Sequence, residues 1–157
     1  MKKLILISAL LLSCASAFAQ RSYYFKEPQK NVTFQVSAGL LDYDGLKYGW
    51  SLGINVKEMV SVNFFHARDY TSAEGSWLDS RLGGMQASLV LPVNDCIQVG
   101  GGIRIASLNN GHKNEFQSPI FSGEMRVNLN ESLKLAFEYG MSNKTNIASV
   151  RLLFNLY

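Results

Sequence analysis

From residue 32 the chain alternates apolar and polar residues with a period of two, the spacing at which side chains of a β-strand share one face. In the first run, Val32, Phe34 and Val36 share one face, and the residues between them are polar. Similar runs follow near residues 48–56, 60–67, 84–91, 97–105, 121–129, 133–140 and 148–156. The pattern therefore predicts eight strands and needs no helix.

The connections between these runs differ in length. Tight turns are predicted at residues 57–58, 92–95 and 130–131. The other links are predicted to be longer loops rich in Gly, Asn, Asp and Ser, at roughly residues 42–47, 68–79, 107–115 and 142–146. Short turns at one end and longer loops at the other are typical of a transmembrane barrel with both termini on the periplasmic side.

Alternation alone does not say whether the apolar face meets lipid or a soluble core, as in a lipocalin-like barrel or a sandwich. The polar face of a water-exposed sheet usually carries many long Lys and Glu side chains. Here that face is rich in small residues, which suit the crowded lumen of a small barrel: Gly49, Ser51, Gly53, Gly84, Ser88, Gly100 and Gly102. The sequence therefore predicts an all-β fold, an eight-stranded antiparallel up-and-down transmembrane β-barrel.

The apolar face carries aromatic residues near the strand ends, where the interfacial girdles of a membrane barrel lie. They are Phe34, Tyr48, Trp50, Phe64, Tyr139 and Phe154. Ordinary packing in a soluble β-domain is the alternative interpretation of these residues. A mean hydropathy of +0.02 fits a barrel with a polar lumen better than a helical membrane protein.

Charged residues of both signs fall on the polar face of the last four runs: Arg104, Glu124, Arg126, Lys134, Glu138 and Arg151. Burying them unpaired would be costly. If the turn near residue 130 closes a tight hairpin, Glu124 comes to lie opposite Glu138. Two like charges would then need arginines, Arg126 and Arg151, to bridge them. We therefore predict a lumenal charge network, with solvated surface charges as the alternative.

The N-terminal segment has the features of a secretory signal peptide. Lys2 and Lys3 precede an apolar stretch at residues 4–12, and residues 17–19 form the Ala-Phe-Ala cleavage site. The predicted organisation is a signal peptide at 1–19, a periplasmic lead at 20–30 and an outer-membrane β-barrel at 31–157. The apolar stretch is too short to cross a bilayer as a helix, which needs about 20 residues.

The cysteine content and the net charge limit which covalent links and partners are expected. Cleavage would remove Cys14 and leave Cys96 alone, so no intramolecular disulfide is expected. The segment before Cys14 also resembles a lipobox, so lipidation of this cysteine is the alternative to cleavage after Ala19. The mature chain would hold thirteen basic and twelve acidic residues, a net charge of +1. Nucleic acid is therefore not an expected partner.

The signal peptide, the eight alternating runs and the final run together resemble the OmpA/OmpX-type family of small outer-membrane β-barrels. The final run, at residues 149–157, resembles a recognition strand for the barrel-assembly machinery. Such strands usually put their last aromatic residue on the apolar face, whereas Tyr157 has the opposite parity to Phe154 and Leu156. The resemblance implies the cell outer membrane of a Gram-negative bacterium as the location.

Catalysis would need a histidine arranged with Ser, Asp or Glu, as in barrels that resemble lipid A deacylases or proteases. The chain has two histidines. His66 has apolar parity and His112 lies in a polar loop, so we expect an interfacial and a solvated residue, and no enzyme. No His or Cys pair has the spacing of metal ligands, and no cofactor is implied.

Three classes of function remain open. The first is a structural or surface-interaction barrel whose loops, around Tyr70, Trp77 and residues 109–115 with His112, meet an extracellular or envelope partner. The second is a narrow pore, which a filled lumen disfavours. The third is a lipid-modifying outer-membrane enzyme. The expected partners of the leading class are outer-membrane lipid, the barrel-assembly machinery and this external partner.

Overall fold

The computed structural model describes residues 32–69, 80–109, 113–142 and 145–156. The predicted signal peptide and periplasmic lead lie outside these residues, as do the loop residues Tyr70, Trp77 and His112. The strands are β1 (Val32–Asp42), β2 (Leu46–Val56), β3 (Val60–Asp69), β4 (Arg81–Pro92), β5 (Ile97–Asn109), β6 (Asn114–Phe116), β7 (Ile120–Asn128), β8 (Leu133–Met141) and β9 (Asn146–Leu156).

Eight of these strands close into an antiparallel barrel, which confirms the predicted fold. Each strand pairs with its neighbour in the chain, β7 follows β5, and β9 pairs with β1. The three-residue β6 is an addition that the alternation did not predict. It pairs with the last residues of β5, on the edge of β5 that β7 occupies closer to the terminal end.

The register of the barrel fixes the slope of its strands. Following the paired residues from Val32 once around the ring leads back to β1 at Asp42, ten residues further along. With standard strand spacings, a shear of this size over eight strands corresponds to a tilt of about 40°. Paired residues therefore climb by roughly 3 Å per strand in the order β1, β2, β3 and onward.

The alternation of burial follows the alternation of sequence, with the polar residues inside. Along β1, Phe34 is 64% exposed on the outer face, whereas its neighbour Gln35 is 1% exposed in the lumen. At Gly100 the adjacent strands β4 and β5 approach so closely that a side chain is excluded: a Cβ there would lie 2.6 Å from the Cα of its sheet partner Val90. Among the described residues, no helix is long and apolar enough to cross a membrane.

The barrel has two different ends. At one end, here called the terminal end, β1 begins, β9 stops, and short turns join β2 to β3, β4 to β5 and β7 to β8. The opposite end, the loop end, carries the connections at residues 43–45, 70–80, 110–119 and 142–145.

One of the loop-end connections is clearly shorter than the sequence predicted. The segment predicted as a loop at 42–47 is a three-residue turn, because Asp42 and Leu46 are still paired in the sheet. Asp44 and Gly45, with φ of 48° and 107°, supply the left-handed backbone that this turn requires. The connection at 142–145 is also tight, and Ser142 N donates to Thr145 O at 2.9 Å.

Candidate functional site

The charged residues of β5, β7, β8 and β9 meet in the middle of the lumen. We call the cluster of Arg104, Glu124, Arg126, Glu138 and Arg151 the lumenal charge network. Each of these residues is at most 9% exposed. They reach one another because inward positions recur at every second residue and an eight-stranded barrel is only wide enough for its own side chains.

Glu138 accepts contacts from several sides of the lumen. Arg104 Nη2 donates to its Oε2 at 2.5 Å, and Ser149 Oγ donates to the same oxygen at 3.0 Å. Arg151 Nη2 lies 3.1 Å from Oε2. Gln86 donates to Oε1 at 3.2 Å and accepts from both Arg104 and Arg151 at 2.9 Å. Glu138 is therefore held by two arginines and two neutral groups.

Glu124 is paired directly with Glu138 in the sheet, at the position that the short hairpin predicted. Arg151 Nη2 lies 3.4 Å from Glu124 Oε1 and so contacts both carboxylates. Arg126 Nε donates to Glu124 Oε1 at 2.8 Å. The like charges of two adjacent strands are thus separated by guanidinium groups, which offset their mutual repulsion.

Arg126 also ties the network to the opposite wall of the barrel. Its Nη2 donates to Ser61 Oγ at 2.9 Å and to Ser88 Oγ at 2.8 Å. Those two hydroxyls also bond each other at 2.7 Å. Hydrogen bonds from one side chain therefore join β7 to β3 and β4 across the lumen.

Lys134 points into the lumen as predicted, but it contacts Glu58 and Gln98 and not the lumenal charge network. Its Nζ donates to Glu58 Oε2 at 2.6 Å and lies 3.5 Å from Gln98 Oε1. Glu58 belongs to the β2–β3 turn, where Lys57 and Glu58 both have positive φ and Met59 N bonds Val56 O, the geometry of a type I′ turn. This ion pair crosses the terminal end of the lumen.

The loop-end half of the lumen is mostly apolar. Its side chains form one buried cluster, here called the apolar layer: Leu41, Tyr43, Phe65, Ala67, Leu82, Ala106, Leu108, Ile120 and Ile147. Phe65, where the sequence alternation becomes unclear, points inward and lies under the Arg104 guanidinium, 4.5 Å from ring centroid to Cζ. The polar network and the apolar layer are thus stacked along the barrel.

Sequence reasoning missed several of these inward residues. Lys47 was placed in a loop, yet it is fully buried and paired with Asp69. Tyr43, from the same segment, donates its hydroxyl hydrogen to Gln117 Oε1 at 2.8 Å. The available signal was parity: Lys47 has the same parity along its strand as the inward Ser51 and Asn55.

The network packs three arginines against two glutamates. Among the described residues, no group of three or more His, Cys, Asp or Glu side chains could hold a metal ion. His66 lies on the outer face, where its ring stacks on Trp50 with centroids 6.0 Å apart. The network therefore binds strands to one another, and nothing in its geometry presents a reactive atom to solvent.

Comparison with solved structures places this architecture among known folds. The N-terminal β-barrel domain of OprF from Pseudomonas aeruginosa superposes with a TM-score of 0.57 at 14% identity, over 81% of this chain and 98% of that chain. The de novo designed barrel TMB2.3 gives a TM-score of 0.61 at 12% identity, over 82% and 98% of the two chains. The chain has the fold of a transmembrane β-barrel.

A second chain from the de novo design of transmembrane β-barrels gives a TM-score of 0.60 at 12% identity, over 82% of this barrel chain and 98% of the design. No protein-family model and no curated protein sequence matches the barrel. At these identities the likeness concerns the fold alone.

Proposed function

We propose that the protein is a small outer-membrane β-barrel of the OmpA/OmpX type that acts through its outer surface and loops. The proposal rests on the distribution of side chains, which is the reverse of that in a soluble protein: polar residues fill the interior and large apolar residues cover the outside. Arg126 is 1% exposed in the lumen, whereas Phe64 on the outer face is 62% exposed. In water the outer face would be a very large apolar patch, whereas in a bilayer it meets lipid.

The difference between the two ends supports an orientation. Transmembrane barrels have short periplasmic turns and longer external loops. The terminal end carries the short turns, the start of β1 and the end of β9, so we assign it to the periplasm. The loop end, with the longer connections at residues 70–80 and 110–119, then faces outward.

A role in surface interaction is supported by the loop end itself. The connections beside β1 and β9 are tight, and the two longer ones join neighbouring strands on one side of the barrel, β3 to β4 and β5 to β7. Phe116 of β6, in the second of these, is 85% exposed. A large exposed aromatic side chain is the type of residue that anchors protein contacts. Tyr70, Trp77 and His112 belong to the same two connections and stay predictions as contact residues.

The filled lumen favours a barrel that does not conduct ions. A path along the axis would have to pass the Lys134–Glu58 pair, the lumenal charge network and the apolar layer. The purified barrel in a planar bilayer is therefore expected to give no steady conductance. A stable open level, reproduced with independently purified protein, would instead support the pore.

The position of His66 supports a role without catalysis. Its ring is stacked on Trp50 on the outer face and is separated by the barrel wall from the lumenal carboxylates. Deletion of the gene is expected to leave the mass spectrum of the outer-membrane lipids unchanged. Loss of a lipid species that wild-type protein restores and His66→Ala does not would favour the enzyme.

Membrane insertion is tested by folding. Purified chain, diluted from urea into detergent micelles or lipid vesicles, should develop β-sheet circular dichroism and migrate differently on gels before and after boiling. In buffer without detergent or lipid it should do neither. A folded, monodisperse monomer in detergent-free buffer would overturn the membrane assignment.

Orientation is tested by labelling intact cells with a membrane-impermeant maleimide. In a background that carries Cys96→Ser, Lys113→Cys places a thiol at the loop end and Val93→Cys places one at an exposed position of the terminal end. Label is expected on the first variant only, and on both after lysis. The reverse pattern in intact cells would contradict the assigned orientation.

A further inference from the structure

We infer that the outer wall of the barrel carries a binding site for a phosphorylated lipid headgroup at the loop end, built around Arg68 and Arg81. The inference rests on the proposed function, because it needs the barrel to lie in a membrane with its loop end at the outer leaflet. The main evidence is that the two arginines are directly paired across β3 and β4 on the outer face of the barrel.

The parity of each strand places both side chains on the lipid side of the wall. Arg68 follows Phe64 and His66 at two-residue steps along β3, and Arg81 precedes Met85 by four residues along β4. Phe64 and Met85 are 62% and 45% exposed on the outer face. Side chains of directly opposed residues lie about 5 Å apart at Cβ, so one anion can contact both guanidinium groups.

The height of the pair corresponds to a headgroup region. Arg68 is paired with Tyr48 of β2, and the register climbs toward the loop end from β2 to β3 and again to β4. The arginines therefore lie just above the aromatic residues Tyr48 and Trp50, which mark the border of the apolar band. Lipid phosphates lie at this border, and arginine there costs little in insertion free energy.

A notch below the arginines provides room for a ligand. Gly83 has no side chain, and a Cβ built there would meet only the Phe65 carbonyl oxygen, at 3.6 Å. Its sheet partners are His66 on one side and Ser107 on the other, both of outward parity. The notch is thus bordered by groups that can donate hydrogen bonds to a phosphate.

The residue types fit phosphate chemistry. Guanidinium groups bind phosphate oxygens through paired, charge-assisted hydrogen bonds, and two adjacent guanidinium groups can hold the two charges of a phosphate monoester. His66 is held in place by its stack on Trp50, with the rings 3° from parallel. The acyl chains of such a lipid would then extend along Phe64 and Met85 in the apolar band.

The test measures lipid retained by the purified barrel. Delipidated protein in a neutral detergent is incubated with phosphatidic acid, with diacylglycerol or with phosphatidylcholine, and bound lipid is counted by native mass spectrometry. Phosphatidic acid should be retained in preference, and Arg68→Gln/Arg81→Gln should weaken its binding about tenfold or more, the effect of losing at least one charge-assisted contact. Arg68→Lys/Arg81→Lys should keep part of the affinity.

Matched controls separate the site from general charge. Lys57→Gln/Lys113→Gln removes the same number of exposed positive charges elsewhere and should leave binding unchanged. Equal loss in both double variants, or no preference for phosphatidic acid, would overturn the inference. If inorganic phosphate at the same concentration displaces phosphatidic acid, the site binds a free anion, and the assignment to a lipid headgroup is overturned. Failure to fold in detergent, seen as unchanged gel migration, would instead count against the proposed function.

Discussion

Arg104 lies at the boundary of two layers of the lumen, with its guanidinium 4.5 Å from the centroid of the Phe65 ring and its Nη2 2.5 Å from Glu138 Oε2. One face of the guanidinium contacts an aromatic ring and one edge contacts a carboxylate. The same side chain thus couples the apolar layer to the lumenal charge network.

Replacing the ring tests this coupling. Phe65→Leu keeps an apolar side chain but removes the π-face, so we expect a loss of about 2 kcal/mol in the free energy of unfolding. Reversible urea unfolding in lipid vesicles, followed by fluorescence, measures it. Phe64→Leu, one residue away on the lipid face, is the control and should have little effect. Similar losses in both variants would contradict a specific role for the Arg104–Phe65 contact.

Glu138→Gln removes the charge that Arg104 and Arg151 share and leaves the three buried guanidinium groups of the network with one carboxylate. Breaking a buried ion pair by removing one partner typically costs 3–5 kcal/mol, so a loss of about this size is expected. The transition in urea should shift to lower concentration, with a lower gel-shift temperature. Glu115→Gln, at an exposed position, is the control and should change neither the urea midpoint nor the gel-shift temperature. If Glu138→Gln also changes neither, the ion pairs of Glu138 contribute no stability.

The ion pair at the terminal end is tested by a double-mutant cycle with Glu58→Gln and Lys134→Met. Contacting residues usually couple by about 0.5–3 kcal/mol, and we expect a coupling in this range. Glu58→Gln combined with Arg81→Gln, at the opposite end of the barrel, should be additive within about 0.5 kcal/mol. A coupling of zero for the first pair would mean that the contact does not hold the turn in place.

The lipid-facing wall is tested by introducing charge. Phe64→Arg places a guanidinium in the apolar band, where it costs about 2–4 kcal/mol near the midplane, so the yield of folded barrel in vesicles should fall. Phe116→Arg makes the same exchange at a loop position that is even more exposed, at 85%. That variant should insert like wild type. If both variants insert equally well, β3 does not face lipid.

Much of this architecture follows from local sequence. A period of two fixes which face each residue occupies, and a short turn between β7 and β8 fixes their register, so the opposition of Glu124 and Glu138 could be predicted. The small inward residues and the charges of both signs indicated that the polar face was the lumen.

Other features depend on closure of the ring and were not predictable from neighbouring residues. Glu58 and Lys134 are 76 positions apart and meet only because the lumen is narrow. The apolar layer was missed because Phe65 and Leu82 break the rule that inward residues are polar. In the terminal half the rule holds for most inward residues, with Val90 and Leu153 as buried exceptions. In the loop half it fails for most of them, because apolar side chains pack against one another there.

The pairing of β1 with β9 has a consequence for the order of folding. Until β9 arrives, β1 and β8 are open edges, which readily pair with other chains. Arg151, which contacts both Glu124 and Glu138, is carried by β9. The strand that removes the open edges therefore also supplies a guanidinium group that contacts both glutamates. An incomplete ring is therefore penalised twice, because its edges stay open and its two opposed glutamates lack the guanidinium that reaches both of them.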